Sequence, residues 1–419
     1  MKRPLTGSAR ASSELGPRPA AWPETVLRMI WKERNISRAD IARRTGLSRS
    51  TVTELVDALM PMQLFAERGV GPSRGGRPPI VLAFNDDAGV LLGVDMGAAH
   101  VSVALTNLRG QVLAWRHEYH AVRTDPDGTR ALISRLCAEV LAERTGSKRL
   151  LVGIGVAVPC PVDPRHPERL SEVVMPDWKG RAGLKPLAQK YKVPLFMDND
   201  ANLGALAERW WGAGRGIEDF AYIKVATGIG SGHFVHGRIY RGATGVAGEI
   251  GHVAIDPQGR TCVCGLRGCL VTIVGSAALI ERAQELRKRH PKSVLATGRI
   301  SVERIEDAAL AGDALANQVV GEAAGHLGVA VAGLLNLMNP QRVILGGGLS
   351  RLGDLLLEPL RDATRNRTLM SSLAAAQVVT SELGPQSIAV GAATMVLDAA
   401  LTDSRLFPPP IPPPGVVHA

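Results

Sequence analysis

Three cysteines fall close together, Cys262, Cys264 and Cys269, and His252 precedes them in the pattern H-x9-C-x-C-x4-C. Three thiolates and one imidazole make a complete tetrahedral set for Zn²⁺ with no position left for water, so the spacing predicts a structural zinc site that pins its loop. Reduced thiols packed in a core are the alternative. Just upstream, Thr227, Gly228, Gly230 and Gly232 form a glycine-rich run at an expected strand turn. Glycine there lets the backbone approach a ligand closely, or simply bend. Glu249 stands one short step before His252. The stretch from Thr227 to Cys269 therefore reads as a ligand pocket beside a metal-braced loop. Cys137 and Cys160 are isolated and read as buried, inert thiols.

At 419 residues the chain exceeds one ordinary core, and two or three domains are expected. It contains no continuous apolar run of about 18 residues and no charged-then-apolar leader, so a soluble, cytoplasmic protein without a membrane partner is expected. Clustered rather than paired cysteines fit a reducing compartment. The net charge is +10, and residues 1–85 hold 14 Lys/Arg against 7 Asp/Glu. That uneven spread suits a nucleic-acid partner; a solvated basic surface is the plain alternative.

Residues 1–22, rich in Ser, Pro, Arg and Ala, read as a disordered arm. Residues 23–85 read as a winged helix-turn-helix. Val26, Leu27, Ile30 and Trp31 share one face of a first helix that is expected to end near Asn35. Ser37 and Asp40 have capping-box spacing for a second helix over Arg38–Thr45, which stops at Gly46. Ser48 can cap a third helix with Val52, Leu55, Val56 and Leu59 inward. This third helix presents Arg49, Ser50, Thr51 and Thr53 outward, the residue types that bond guanine edges and phosphates from a recognition helix. Two strands follow around GVGPSRGGRPP, a wing on which Arg74 and Arg77 are placed to reach phosphate or a minor groove. A three-helix interaction module is the alternative.

From residue 86 to 402 strands alternate with helices, and polar residues or glycine stand at the strand ends, where α/β proteins hold ligands. Asp95 and Gly97 end the first strand. Asn199 and Asp200 follow the strand Val193–Met197; Asp200 is placed as a proton acceptor or as a helix cap. Gly346, Gly347 and Gly348 link a strand to a helix, either for an anionic ligand or for a close crossing. Asp95, Asp200, Glu249 and His252 together suit a polyhydroxylated ligand such as a sugar. Residues 403–419 read as an unpacked, proline-rich tail.

GIGVAVPCPVD from Gly153, DNDAN from Asp198, TGIGSG from Thr227, AGEIGH from Ala247, CVCGLRGC from Cys262 and GGGLS from Gly346 occur in one order. This series resembles the ROK family (repressors, open reading frames and sugar kinases) across residues 24–400. The resemblance implies an α/β fold in which an N-terminal winged helix-turn-helix precedes a two-lobed, actin-like ATPase (sugar kinase-like) fold. It implies a homodimer or homotetramer, structural zinc on His252, Cys262, Cys264 and Cys269, and a sugar held by Asn199, Asp200, Glu249 and His252. Asp200 would be the catalytic base if kinase activity is retained. Asp95, Gly97, Thr227, Gly228, Gly230 and Gly346–Gly348 would hold ATP and Mg²⁺.

Departures from the family's pattern temper the kinase reading. Ala98, Ala99 and His100 follow Gly97 where the kinases carry a Gly-Gly-Thr-like turn, so ATP and Mg²⁺ are expected to be held weakly there, while the other phosphate loop, Gly228–Gly232, is intact. Val271 stands where the family has a sugar-binding Glu, which counts against an ordinary glucose-like ligand. Cys160 stands where the family has a glycine. The expected function is a DNA-binding regulator of carbohydrate-related genes, a repressor, acting on double-stranded operator DNA and sensing a sugar or another small molecule. An ATP-dependent sugar kinase with a fused DNA-binding domain is the alternative.

Overall fold

The computed structural model describes residues 22–70, 79–143, 150–368 and 376–409. The expected arm up to residue 21, the wing tip with Arg74 and Arg77, and the tail beyond residue 409 lie outside the described residues. The chain divides into two compact units, Met1–Asn85 with Ala399–Ala419, and Asp86–Asp398.

The first unit opens with α1 (Trp22–Glu33), β1 (Asn35–Ser37), α2 (Arg38–Thr45) and α3 (Arg49–Leu59), followed by β2 (Phe65–Val70) and β3 (Ile80–Phe84). The Ser37 hydroxyl accepts from the Asp40 amide at 3.1 Å and starts α2. Gly46 ends that helix at φ +74°, a left-handed conformation that costs glycine little. Ser48 caps α3 by accepting from the Thr51 amide at 3.1 Å. Leu27, Ile30, Ile41, Val52 and Val56 close the core between the helices. The first helix ends at Glu33 rather than near Asn35, because residues 35–37 pair with β3 and make a third strand, in the order β1-β3-β2. The start of the expected tail is packed: Phe407 is buried, the Ser404 hydroxyl donates to Glu24 Oε1 at 2.8 Å, and Arg28 donates to the Thr402 hydroxyl at 2.8 Å.

The second unit is built twice on one plan. Its first lobe contains β4 (Gly89–Met96), β5 (His100–Asn107), β6 (Val112–Tyr119), α4 (Pro126–Ala142), β7 (Leu150–Val158), α5 (Lys185–Tyr191) and β8 (Leu195–Asn199), leading into α6 (Asp200–Trp211). The second lobe contains β9 (Phe220–Val225), β10 (Ile229–Val235), β11 (Arg238–Tyr240), α7 (Val271–Val274), α8 (Ser276–Leu286), α9 (Val302–Leu310), α10 (Ala314–Met338), β12 (Arg342–Gly346), α11 (Asp354–Arg365), β13 (Gln377–Thr380) and α12 (Ser387–Thr402). The sheets run β6-β5-β4-β7-β8 and β11-β10-β9-β12-β13. In each, three antiparallel strands are followed by two parallel ones, so the second sheet repeats the topology of the first. This duplicated arrangement is the two-lobed actin-like fold.

Two strand glycines admit α12. A β-carbon at Gly93 would stand 1.8 Å from the Ala389 carbonyl oxygen, and one at Gly155 would stand 1.9 Å from that of Ala392. Small residues on α12 and glycines on β4 and β7 thus let helix and sheet backbones touch. α10 is long and apolar enough to cross a membrane, but its apolar residues pack against α8, α9 and α11 in the second core.

Candidate functional site

A cavity of about 500 Å³ opens where the strand ends of the two lobes converge. Its lining includes Arg123, Cys160, Asn199, Asp200, Lys224, Thr227, Gly228, Gly230, Glu249, His252, Cys262 and Val271. The residues expected to hold a sugar and one of the expected phosphate loops, Thr227–Gly230, are therefore brought together. Asp95, Gly97 and Gly346–Gly348 are not among the lining residues.

The helix cap at β8–α6 falls to Asn199, not Asp200. Asn199 Oδ1 accepts from the amides of Ala201 (2.9 Å) and Asn202 (3.2 Å), and Nδ2 donates to the Cys160 carbonyl at 3.2 Å. Capping frees Asp200 for another partner, and that partner is a lysine. Lys224 Nζ donates to Asp200 Oδ2 at 2.6 Å, and both side chains are buried. Burial pulls the Lys224 ammonium down, but the charges of Asp200 and Asp95 more than offset it, so its pKa ends above the ordinary value. One oxygen of this carboxylate is thus engaged by an ammonium before any hydroxyl arrives. Sequence reading missed Lys224, which sits in the apolar strand FAYIKV and meets Asp200 only through the fold.

Glu249 is pushed up to about 7, first by burial and then by the charge of Asp200. Near neutrality it is partly protonated, and a protonated carboxyl donates as well as accepts hydrogen bonds. Val271 presents an isopropyl group to the same space. The Cys160 thiol is pushed up to about 12 by burial and stays neutral, as does Cys137.

His100 accounts for the altered first phosphate loop. Its Nε2 lies 3.1 Å from Asp95 Oδ2, and a β-carbon at Gly97 would stand 2.3 Å from the ring. The imidazole thus covers Gly97 and occupies Asp95. Burial tends to raise the Asp95 pKa, but the His100 charge and hydrogen bond bring it below the ordinary carboxylate value. The triple glycine has a packing explanation. At Gly346 a β-carbon would stand 2.2 Å from the Tyr222 hydroxyl, and at Gly347 2.3 Å from the Val225 carbonyl oxygen.

His252, Cys262, Cys264 and Cys269 place one ligand atom each within 4.8 Å of one another, and all three thiols are free. Cys262 Sγ lies 3.6 Å from His252 Nδ1, and Cys264 Sγ lies 3.7 Å from Cys269 Sγ. Short bridges Ala254–Cys269 and Thr261–Arg267 frame the knuckle. Burial, and then the neighbouring sulfurs, push Cys269 up to about 12. Three thiolates this close need a cation, so the donor set fits a tetrahedral metal ion. His252 has its pKa lowered, first by burial and then by the charge of Arg123, which favours the neutral imidazole that metals bind. Its other nitrogen, Nε2, faces Glu249 Oε2 at 3.8 Å. The ring therefore spans the knuckle and the cavity.

On the first unit, Arg49, Ser50 and Thr53 are exposed at the N-terminal turn of α3, and Thr51 is half-buried. The Thr53 hydroxyl donates to the Arg49 carbonyl at 2.9 Å, while those of Ser50 and Thr51 each lie 2.8 Å from Ser48 Oγ. Arg38 is spent on Asp57 (2.6 Å) and Glu67, Arg44 on Glu33 (2.6 Å), and Arg43 on Asp40. No ion pair involves Arg49 among the described residues, so its guanidinium is free for an external anion or base.

Comparisons with known proteins agree with this geometry. The ROK family profile matches residues 91–399, and that of winged helix-turn-helix DNA-binding proteins matches residues 25–60. The chain is similar to the xylose repressor of Caldicellulosiruptor bescii, with 30% identity over 90% of this chain and 95% of that one. It is also similar to the DNA-binding transcriptional dual regulator NagC of Escherichia coli K12, with 32% identity over 90% of this chain and 92% of that one. Among solved structures, a ROK family transcriptional regulator described as a homologue of the E. coli MLC protein superposes with a TM-score of 0.77. It has 27% identity and covers 92% of this chain and 98% of its own.

Proposed function

The chain belongs to the ROK family, and from that membership we propose that it is a sugar-responsive transcriptional regulator, a repressor of carbohydrate-related genes. In this reading residues 23–85 bind double-stranded operator DNA and residues 86–402 sense the effector. Arg49 reads a base edge, and Ser50, Thr51 and Thr53 contact backbone or bases, with Arg74 and Arg77 supplying the wing. Asn199, Asp200, Glu249 and His252 face the sugar. The protein works in the cytoplasm as a homodimer or homotetramer, as a regulator of paired half-sites requires.

One observation carries the choice of regulator over kinase: the Lys224–Asp200 ion pair at the cavity floor. A kinase needs Asp200 to take a proton from the sugar hydroxyl, and here that carboxylate already holds an ammonium. The His100 ring over Gly97 supports the same choice, because phosphate oxygens would have to displace it. Zn²⁺ on His252, Cys262, Cys264 and Cys269 is structural: it closes the loop that carries Glu249 and supplies no open position. An effector changes operator affinity only by its differential affinity for two states of the protein, so a sugar that releases DNA must bind the DNA-free state more tightly.

The test is selection of bound DNA from a random pool, repeated with candidate sugars, alongside a coupled assay for ADP release. Recovery of a palindromic site whose binding changes with a sugar, without turnover, is expected. Sugar-dependent ADP release that disappears in Asp200→Ala would replace this reading with the kinase.

A further inference from the structure

The charged residues lining the cavity are mostly matched to partners. Lys224 pairs with Asp200, and Arg260 pairs with Glu281 and Glu285. Glu249 faces His252, and His100 faces Asp95. Arg123 is the exception. It lines the cavity, forms no ion pair or hydrogen bond among the described residues, and has a buried Nε without a partner. Its loop is held firmly, because the Trp178 indole donates to the Val122 carbonyl at 2.7 Å, Val122 is fully buried, and Asp125 caps α4. A guanidinium on a fixed support, with its planar fork free, is preorganised for a carboxylate or phosphate. The volume of about 500 Å³ holds a monosaccharide with such a substituent.

We propose that the effector is an anionic monosaccharide, a sugar acid or a sugar phosphate, and that Arg123 pairs with its anionic group. This rests on the sugar-sensing reading and narrows the class of sugar. Asp200 and Glu249 remain for the hydroxyls, while Val271 lines an apolar part of the wall.

Calorimetric titration of the full-length, metal-containing protein with glucose, glucuronate, glucose 6-phosphate, N-acetylglucosamine and N-acetylglucosamine 6-phosphate tests this. The carboxylate and phosphate arms separate the two anionic sources. At least one anionic sugar is expected to bind about tenfold or more tightly than its neutral parent, as a charge-assisted pair allows. Arg123→Gln should bring the two within about twofold, while Arg123→Lys should keep part of the preference, as a point charge would. Unchanged melting temperature and metal content in both variants would show that the fold is intact. Neutral sugars that bind as tightly as their anionic counterparts, or a preference that survives in Arg123→Gln, would overturn the proposal. If neutral sugars alone bind and release operator DNA, only this proposal falls. If no sugar of either kind binds or changes operator affinity, the sensing reading falls with it.

Discussion

Lys224 Nζ stands 2.6 Å from Asp200 Oδ2, and both groups are buried at the meeting point of the two lobes. The pair turns a position suited to proton abstraction into a closed charge pair. Removing one member strands the other. Lys224→Met is expected to destabilise the protein by about 3–5 kcal/mol, because a buried carboxylate loses its counter-charge. Lys224→Met combined with Asp200→Asn should recover much of that loss. Chemical denaturation of the three proteins checks both statements, and equal losses in the single and double variants would deny the pair any special role.

The sulfur knuckle is expected to carry about one zinc ion per chain, as a complete tetrahedral site should. Cys264→Ser should release most of it and lower the melting temperature, whereas Cys137→Ser should leave the metal content unchanged. Elemental analysis of the purified variants gives the answer directly. A full zinc complement in Cys264→Ser would count against this ligand set.

At the DNA surface, Arg49→Ala is expected to cost about 1–3 kcal/mol in discrimination at one base pair. Competition binding against operators changed at single positions reads this out. Ser48→Ala should act differently. It removes the cap of α3, costs about 1 kcal/mol of stability, and lowers the melting temperature more than it alters sequence preference.

Glu208 supplies a pH test. Its carboxylate accepts from the Ala213 amide at 2.8 Å and from the Ser381 hydroxyl, in a buried site. Burial raises its pKa above the ordinary 4.5 despite these bonds. The folded protein therefore binds the proton more tightly than the unfolded chain. Its contribution is fully present below the unfolded pKa and is lost as pH rises through the raised folded value. Glu208→Gln cannot ionise, so its stability relative to wild type should increase as pH rises from about 4 and level off above the folded pKa. Melting curves across that range would show this, and a flat difference would refute it.

Much of the fold was legible because its signals are local. Ser37, Gly46 and Ser48 mark helix ends through bonds to residues within four positions, and the clustered Cys3His donor set shows in its spacing. β1 was not legible. Three residues have no period to read, and Asn35–Ser37 becomes a strand only by pairing with residues 81–83. In the site, sequence distinguished poorly between neighbours at a junction: the cap expected as one role of Asp200 belongs to Asn199. Lys224 and Arg123 escaped notice, and His100 was read only as a replaced turn residue, because their significance lies in partners, or in the lack of them, that chain order does not reveal.

His252 has two nitrogens in two neighbourhoods, Nδ1 toward the sulfurs and Nε2 toward Glu249. Under the proposed function this ring would carry a metal on one side and an effector on the other, and the two would be linked through it. Linkage runs both ways: the factor by which metal changes effector binding is the factor by which effector changes metal retention.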